Sequence, residues 1–151
     1  MKNVVPLVVF SIDDQKYALH LAAVERIVFA VEVTSLPKAP DIVMGVINVE
    51  HRIIPVLNVR RRFHLHEREI DLKDQFILAH SSKRTFALVV DRVDGVKEYD
   101  DEQIIHGTNI LPDLPYIEGV VALENGMILI HDVDRFHSLE EETTMNDVLD
   151  S

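Results

Sequence analysis

Two stretches of the chain, GVINVEHRIIPVLNVRR from Gly45 and GVVALENGMILIHDVDR from Gly119, superimpose without a gap. The match pairs Gly45 with Gly119, Val46 with Val120, Glu50 with Glu124, Ile54 with Ile128, Asn58 with Asp132, Val59 with Val133 and Arg61 with Arg135. An earlier pair of blocks aligns in the same order. KYALHLAAVERI from Lys16 falls on TFALVVDRVDGV from Thr85, placing Ala18 on Ala87, Leu19 on Leu88 and Val24 on Val93. Each half therefore runs hairpin, proline-bearing linker, hairpin, short capped helix. A chain written twice in this way is constrained to fold as a duplicated small β unit. Two barrels of about five strands each would hide most strand edges by closure.

The elements follow from local pattern. Leu7 to Ile12 and Lys16 to Leu21 read as a hairpin across Asp13-Asp14-Gln15, with Tyr17, Leu19 and Leu21 on one face. Ala22 to Val28 is compatible with either a strand or a helical turn, and SLPKAPD at 35–41 reads as a loop. Val43 to Val49 and Ile53 to Leu57 pair across Glu50-His51-Arg52. Pro55 lacks an N–H, which places the second of these strands at a sheet edge or turns its N–H position outward. Asn58 stands where a helix N-cap would, before one or two amphipathic turns, and Asp132 has the same place before VDRFHS. His64 to Asp74 is a polar connection. Gln75 to His80 and Thr85 to Val90 make another hairpin, and Val93 to Tyr99 extends it past Gly95. Asp100 to Ile105 fits a helical turn, and GTNILPDLPY at 107–116 is a second proline-rich loop. Glu118 to Leu123 and Met127 to His131 pair across Glu124-Asn125-Gly126, the strongest turn signal of the chain.

Charge and composition exclude several classes. A net charge of −11 argues against a nucleic-acid partner and against adsorption to an anionic membrane surface. The absence of cysteine removes disulfides, thiolate nucleophiles and cysteine-based zinc sites, and fits a reducing compartment. The N-terminal apolar run is interrupted by Pro6 and ended by Asp13-Asp14, too short for a signal peptide, and no stretch has the length of a membrane span.

The blocks LVVFSIDDQKYALHLAAVERI, GVINVEHRIIPVLNVRRRF, FALVVDRVDGV and GVVALENGMILIHDVDRF resemble the CheW family, in family order, from about Leu7 to Phe136. The resemblance implies a mainly β fold of two SH3-like five-stranded barrels with short helices. It implies a module over 1–138 made of two intertwined or tandem halves, with an acidic tail over 139–151. It further implies a cytoplasmic adaptor without cofactor or catalysis, recruited to membrane receptor arrays without inserting into the bilayer. There it would couple the cytoplasmic tips of methyl-accepting chemoreceptors to the CheW-like regulatory domain of the histidine kinase CheA. A kinase or a receiver-bearing relative would need more chain, so a stand-alone adaptor, of a flagellar or a divergent non-flagellar chemosensory pathway, is the closest description. By the same resemblance, Val24, Arg26, Ile27, Val93 and Val96 line a receptor-binding groove. Glu50, His51 and Asn58 mark the kinase-binding end.

The chain departs from the family pattern where it matters most for partners. The family's V-x-E-I stands here as Val24-Glu25-Arg26-Ile27, and its N-L-R-G as Asn48-Val49-Glu50-His51. The acid has become a base and the base an acid, so a reciprocal swap predicts that Arg26 and Glu50 touch. Such an exposed pair contributes on the order of 0 to 1 kcal/mol to stability; the two readings are a coupled swap whose value lies in partner choice, and independent change on a tolerant surface. The usual glycine is His51, and the usual aspartate before the short helix is Asn58.

Other candidates carry weaker chemistry. His64 and His66 with Glu67 and Glu69 have no fixed third metal ligand, so the expectation is no metal. Arg60-Arg61-Arg62 with Arg68 forms a basic patch, read as a helix face or a protein-docking surface. Asp91, Asp94, Asp100, Asp101 and Glu102 supply carboxylates with no evident nucleophile, and Gly107 lacks phosphate-loop spacing. The alternative to an adaptor is a small β-barrel metal-dependent hydrolase, which requires a deep pocket where titratable groups converge.

Overall fold

The computed structural model describes residues 3–106 and 117–135. The proline-rich loop expected at 107–116, Phe136 and the acidic tail fall outside the described residues.

The first half of the chain contributes β1 (Val4–Ile12), β2 (Gln15–His20), β3 (Val24–Phe29), β4 (Val43–Val49) and β5 (Arg52–Leu57), then the single helical turn α1 (Val59–Arg62). The second half contributes β6 (Gln75–His80), β7 (Thr85–Val90), β8 (Arg92–Asp100), β9 (Ile104–His106), β10 (Ile117–Leu123) and β11 (Gly126–His131). The ambiguous stretch after β2 resolves into one 3-10 turn, Leu21–Ala23, and a strand.

The halves do not fold separately. One sheet runs β8-β1-β2-β11-β10-β9 and the other β3-β6-β7-β5-β4. Each barrel is thus completed by the hairpin of the opposite half: β1–β2 enters the second-half sheet, and β6–β7 the first-half sheet. The duplication is visible in the register. Ala18 on β2 pairs in parallel with Ile130 on β11, and its repeat counterpart Ala87 on β7 pairs in parallel with Val56 on β5. Both sheets fold closed by the same route. β8 forms one sheet edge and the chain continues into β9, which pairs with β10 at the other. In the first barrel β3 is the edge, and Thr34 bridges Val46 on β4 through two backbone hydrogen bonds of 2.8 and 2.9 Å. The two SH3-like barrels are as expected, with one addition. The turn foreseen from Asp100 to Ile105 spans only Asp101–Gln103, started by a capping box on Asp100, and Ile104 opens β9 as the sixth strand of the sheet that begins with β8.

Of the two placements expected for Pro55, the outward-turned N–H position holds and the sheet edge does not. β5 lies between β7 and β4 rather than at an edge. Because the N–H and C=O of Val46, opposite Pro55, are both spent on Thr34, this is a non-hydrogen-bonded pair and the Pro55 nitrogen faces away from β4. The pairing of β5 with β7 begins at Val56, so the ladder loses no bond to the proline.

Among the described residues, three apolar clusters hold the fold. Leu7, Val9, Ala18, Val121 and Ile130 fill one barrel. Ile47, Ile54, Val56, Phe76 and Leu78 fill the other. The largest lies between them and includes Phe10, Tyr17, Leu19, Leu57, Ile77, Phe86 and Leu88. The barrels are joined through core, not through a linker.

Candidate functional site

A β-bulge between Val24 and Arg26 shapes the exposed edge strand β3. The bulge breaks alternation, so that Glu25, Arg26 and Ile27 are all exposed in succession. Glu25 and Arg26 reach the tip of the β4–β5 hairpin with opposite signs. Arg26 Nη1 lies 2.9 Å from Glu50 Oε1, the contact expected from the charge swap. Arg52 Nη1 donates to Glu25 Oε2 at 3.2 Å, and Thr85 Oγ1 donates to Glu25 Oε1 at 3.1 Å. Desolvation works against the Glu25 carboxylate, but the hydrogen bonds from Arg52 and Thr85 outweigh it and its pKa falls below the usual value. The tip itself is a tight turn with Glu50 at φ 49° and His51 at φ 69°. Two left-handed residues match the twist of a hairpin, and His51 holds its place by donating its N–H to Asn48 Oδ1 at 3.0 Å.

The two sets of expected site residues therefore meet at one point, Arg26 against Glu50. The others are distributed. Val24 and Val93 occupy the same repeat position, one on each barrel's edge strand, and both pack against the central cluster. The N–H of Val93 donates to Gln75 Oε1 at 2.8 Å. Ile27 and Val96, again repeat counterparts, are exposed. Asn58 caps α1 as expected, accepting from the Arg61 N–H at 3.1 Å and donating to Glu67 Oε1 at 2.7 Å. It stands at the opposite end of β5 from Glu50 and His51, roughly 20 Å away at the rise of an extended strand. Ile53, exposed beside Arg52, was missed by the sequence reading. An isoleucine directly after a turn looks like core until the register turns it outward.

The expected basic patch is corrected in one respect. Arg60 is 9% exposed and faces inward. Its guanidinium holds Asp13 in a two-bonded pair at 2.8 and 2.9 Å, reaches Asp91 Oδ1 at 2.9 Å and donates to the His66 carbonyl at 2.9 Å. Arg68 continues the chain, 2.7 Å from Asp91 and 2.8 Å from both oxygens of the buried Asp74. This five-residue network ties the β1–β2 turn to α1, to the β7–β8 connection and to the start of β6, so it pins each barrel to the hairpin that the other half supplies. Burial opposes the Asp91 charge, but the Asp13 N–H and the two arginines hold its pKa below the usual carboxylate range. Replacing Arg60 with alanine should cost about 2 to 4 kcal/mol, because it removes one of the two guanidiniums on Asp91 together with the donors to Asp13 and the His66 carbonyl, and empties a largely buried site. The same change at exposed Arg61 should cost under about 1 kcal/mol. Paired urea titrations check this, and equal costs would show the network to be idle.

Of the carboxylates named for acid–base chemistry, Asp91, Asp94, Asp100 and Asp101 are engaged elsewhere. Asp94 accepts from Ser11 Oγ at 2.7 Å, Arg92 Nε at 2.7 Å and Lys16 Nζ at 3.0 Å; against the cost of burial these bring its pKa down to about 2. Asp101 faces His106 at 2.9 Å. The cavity where Arg60, Arg68, Asp74 and Asp91 converge measures about 20 Å³, room for a single water. Among the described residues, no group of three or more metal-ligating side chains gathers, and Glu67 is bound to Asn58 and Arg61.

Two interlocked barrels, charges paired into structural networks and an exposed bulged edge strand define a protein-interaction module. Comparison with known proteins says which. The model of the CheW-like domain matches residues 6–141. The chemotaxis protein CheW of Thermotoga maritima is 30% identical over 140 residues, covering 92% of this chain and 90% of its own. The CheW of Treponema pallidum is 26% identical, covering 89% and 83%. The crystal structure of the scaffolding protein TtCheW from Thermoanaerobacter tengcongensis superimposes with a TM-score of 0.82 at 26% identity, covering 93% of this chain and 96% of that one. The chain belongs to the CheW family, the adaptor and scaffold proteins of chemotaxis. Among the described residues, no helix is long and apolar enough to cross a membrane.

Proposed function

We propose that this protein is a non-catalytic adaptor that couples the cytoplasmic tips of chemoreceptors to the regulatory domain of the histidine kinase CheA, and that it works in the cytoplasm at receptor arrays. The reading treats residues 1–138 as one module. The observation that carries it is the bulged β3 edge, where Val24 and Ile27 flank an Arg26 that is tied to the hairpin tip. A receptor helix would set apolar anchors on Val24, Ile27, Val93 and Val96, with polar contacts from the Arg26–Glu50 pair fixing register. Glu50 and His51 would present the kinase contact at the tip, and Asn58 a second one at the far end of β5. The pair is exposed, so its worth lies in discrimination: a partner built for the reversed signs meets repulsion.

Calorimetric titration of the chain with the kinase regulatory domain, with and without a receptor-tip fragment, tests this. Arg26→Glu or Glu50→Arg alone should weaken binding by about tenfold, in line with like charges facing each other across an interface. The double exchange should recover most of the loss among partners that read the pair as a unit. Binding unchanged by all three variants would remove β3 and the hairpin tip from the interface.

A further inference from the structure

Past the end of β3 the chain leaves the ladder as an extended segment, Ala30 to Val33, before Thr34 rejoins it. Between this segment and residues 69–72 lies an open groove of about 710 Å³. Its floor is apolar: Ala30, Val33, Met44 and Ile70 all rest on the core of the first barrel. Val31 and Leu72 form its lips, and Leu72 is 88% exposed. Phe29, at the end of β3, is 71% exposed. The rim carries Glu32, Glu69 and Asp71.

The repeat supplies an internal comparison. Glu98, Tyr99 and Asp100 on β8 stand where Phe29, the last residue of β3, and Ala30 and Val31 after it stand. The groove there, about 600 Å³, is lined by Glu98, Asp100, Glu102 and Gln103 beside Val4 and Tyr99. The same place in the fold is thus largely polar in one barrel and apolar-floored in the other. Exposed Phe29, Val31 and Leu72 are not a demand of the architecture.

We propose that the groove between residues 30–35 and 69–72 binds a short basic segment of a partner protein, with apolar side chains on the Met44–Ile70 floor and lysine or arginine against Glu32, Glu69 and Asp71. Charge selects this occupant. A second copy of the chain brings a net charge of −11 to an acidic rim, and the chain's own C-terminal stretch brings Glu140, Glu141 and Glu142. Both are repelled; a cationic segment is drawn in. The site lies apart from Arg26 and Glu50, so it does not rest on the receptor and kinase assignments.

The test uses a synthetic amphipathic peptide of leucine and lysine, titrated into the isotopically labelled full chain and followed by amide NMR and fluorescence anisotropy. Shifts should gather at 30–35 and 69–72. Leu72→Ser combined with Val31→Ser, which removes the apolar lips without adding charge, should weaken binding by about tenfold, while Glu98→Lys on the matching groove should leave it unchanged. Leu72 is almost fully exposed, so its replacement does not threaten the fold. Shifts scattered over the acidic surface, equal binding of a leucine–glutamate peptide, or indifference to the Leu72 and Val31 changes would each overturn the proposal. So would absence of binding, or a dimer in sedimentation that Leu72→Ser abolishes, which would assign the groove to a second copy.

Discussion

Gly45→Ala is expected to destabilise the protein by about 3 kcal/mol or more, the sum of overpacking and a backbone conformation costly to L-residues. Gly45 has φ 155°, and a Cβ there would come within 2.3 Å of the Thr34 carbonyl oxygen and 2.9 Å of Val33 Cγ1. The obstacle is backbone held by the two Thr34–Val46 hydrogen bonds that close the first barrel, so it cannot step aside without opening the seam. Gly119 is its repeat counterpart and lies under the equivalent closing strand, with Ile104 Cγ2 and the Ile105 carbonyl at 3.1 and 3.2 Å from the added atom. Gly119→Ala should cost only about 1 kcal/mol, since neighbours at that distance need yield by a few tenths of an ångström. Urea midpoints of the two variants decide the matter. A Gly45 variant as stable as the Gly119 variant would mean that the Thr34 bridge is not what closes the barrel.

A second large effect is expected from His131. The ring is 1% exposed, stacks on Phe63 at 4.3 Å between centroids and lies 5.3 Å from Tyr17. Burial pushes its pKa down to about 3, against 6.5 for the ordinary group. The unfolded chain therefore takes up a proton that the folded one refuses. Stability is full above pH 6.5 and is lost as pH falls, at about 1.4 kcal/mol per unit, or roughly 2 kcal/mol by pH 5. His20 acts in the opposite sense: its hydrogen bond to Glu118 outweighs desolvation and raises its pKa, so its contribution is present in acid and lost as pH rises. Asp94, at about 2, adds its own loss below pH 4, outside this window. His131→Leu, which installs the residue found at the equivalent Leu57, should flatten the slope between pH 6.5 and 5 and leave a stable protein at pH 7. A variant that keeps the parent's slope would move the acid sensitivity to the other histidines.

Much of the local structure was legible because it is written locally. The hairpins follow alternation and turn residues, Asn58 and Asp132 cap where their positions announce it, and the Arg26–Glu50 contact was readable as two compensating departures from one pattern. What escaped depends on pairing between distant segments. A repeat says that two similar units form, but not that they trade hairpins, since the parallel pairs of β2 with β11 and β5 with β7 leave no mark on either strand's periodicity. Arg60 was read as surface because three arginines in succession look solvated. Its burial is set by Asp13 and Asp91, which arrive from elsewhere in the chain. Ile53 failed for the converse reason, an apolar residue that the register turns to solvent.

The exchange of hairpins also sets a schedule for synthesis. Lys16 finds its partner Ile128 on β11 only after a further 112 residues have been added. At cellular translation speeds that is on the order of 10 s, during which β1 and β2 emerge from the ribosome with their apolar faces uncovered. The sheet β3-β6-β7-β5-β4 draws on nothing beyond Val90, so the first barrel can close early, while the second waits for β10 and β11. The β1–β2 hairpin is thus made first and receives its β11 partner last, a slow, non-local route on which it needs either its own marginal stability or a chaperone's shelter.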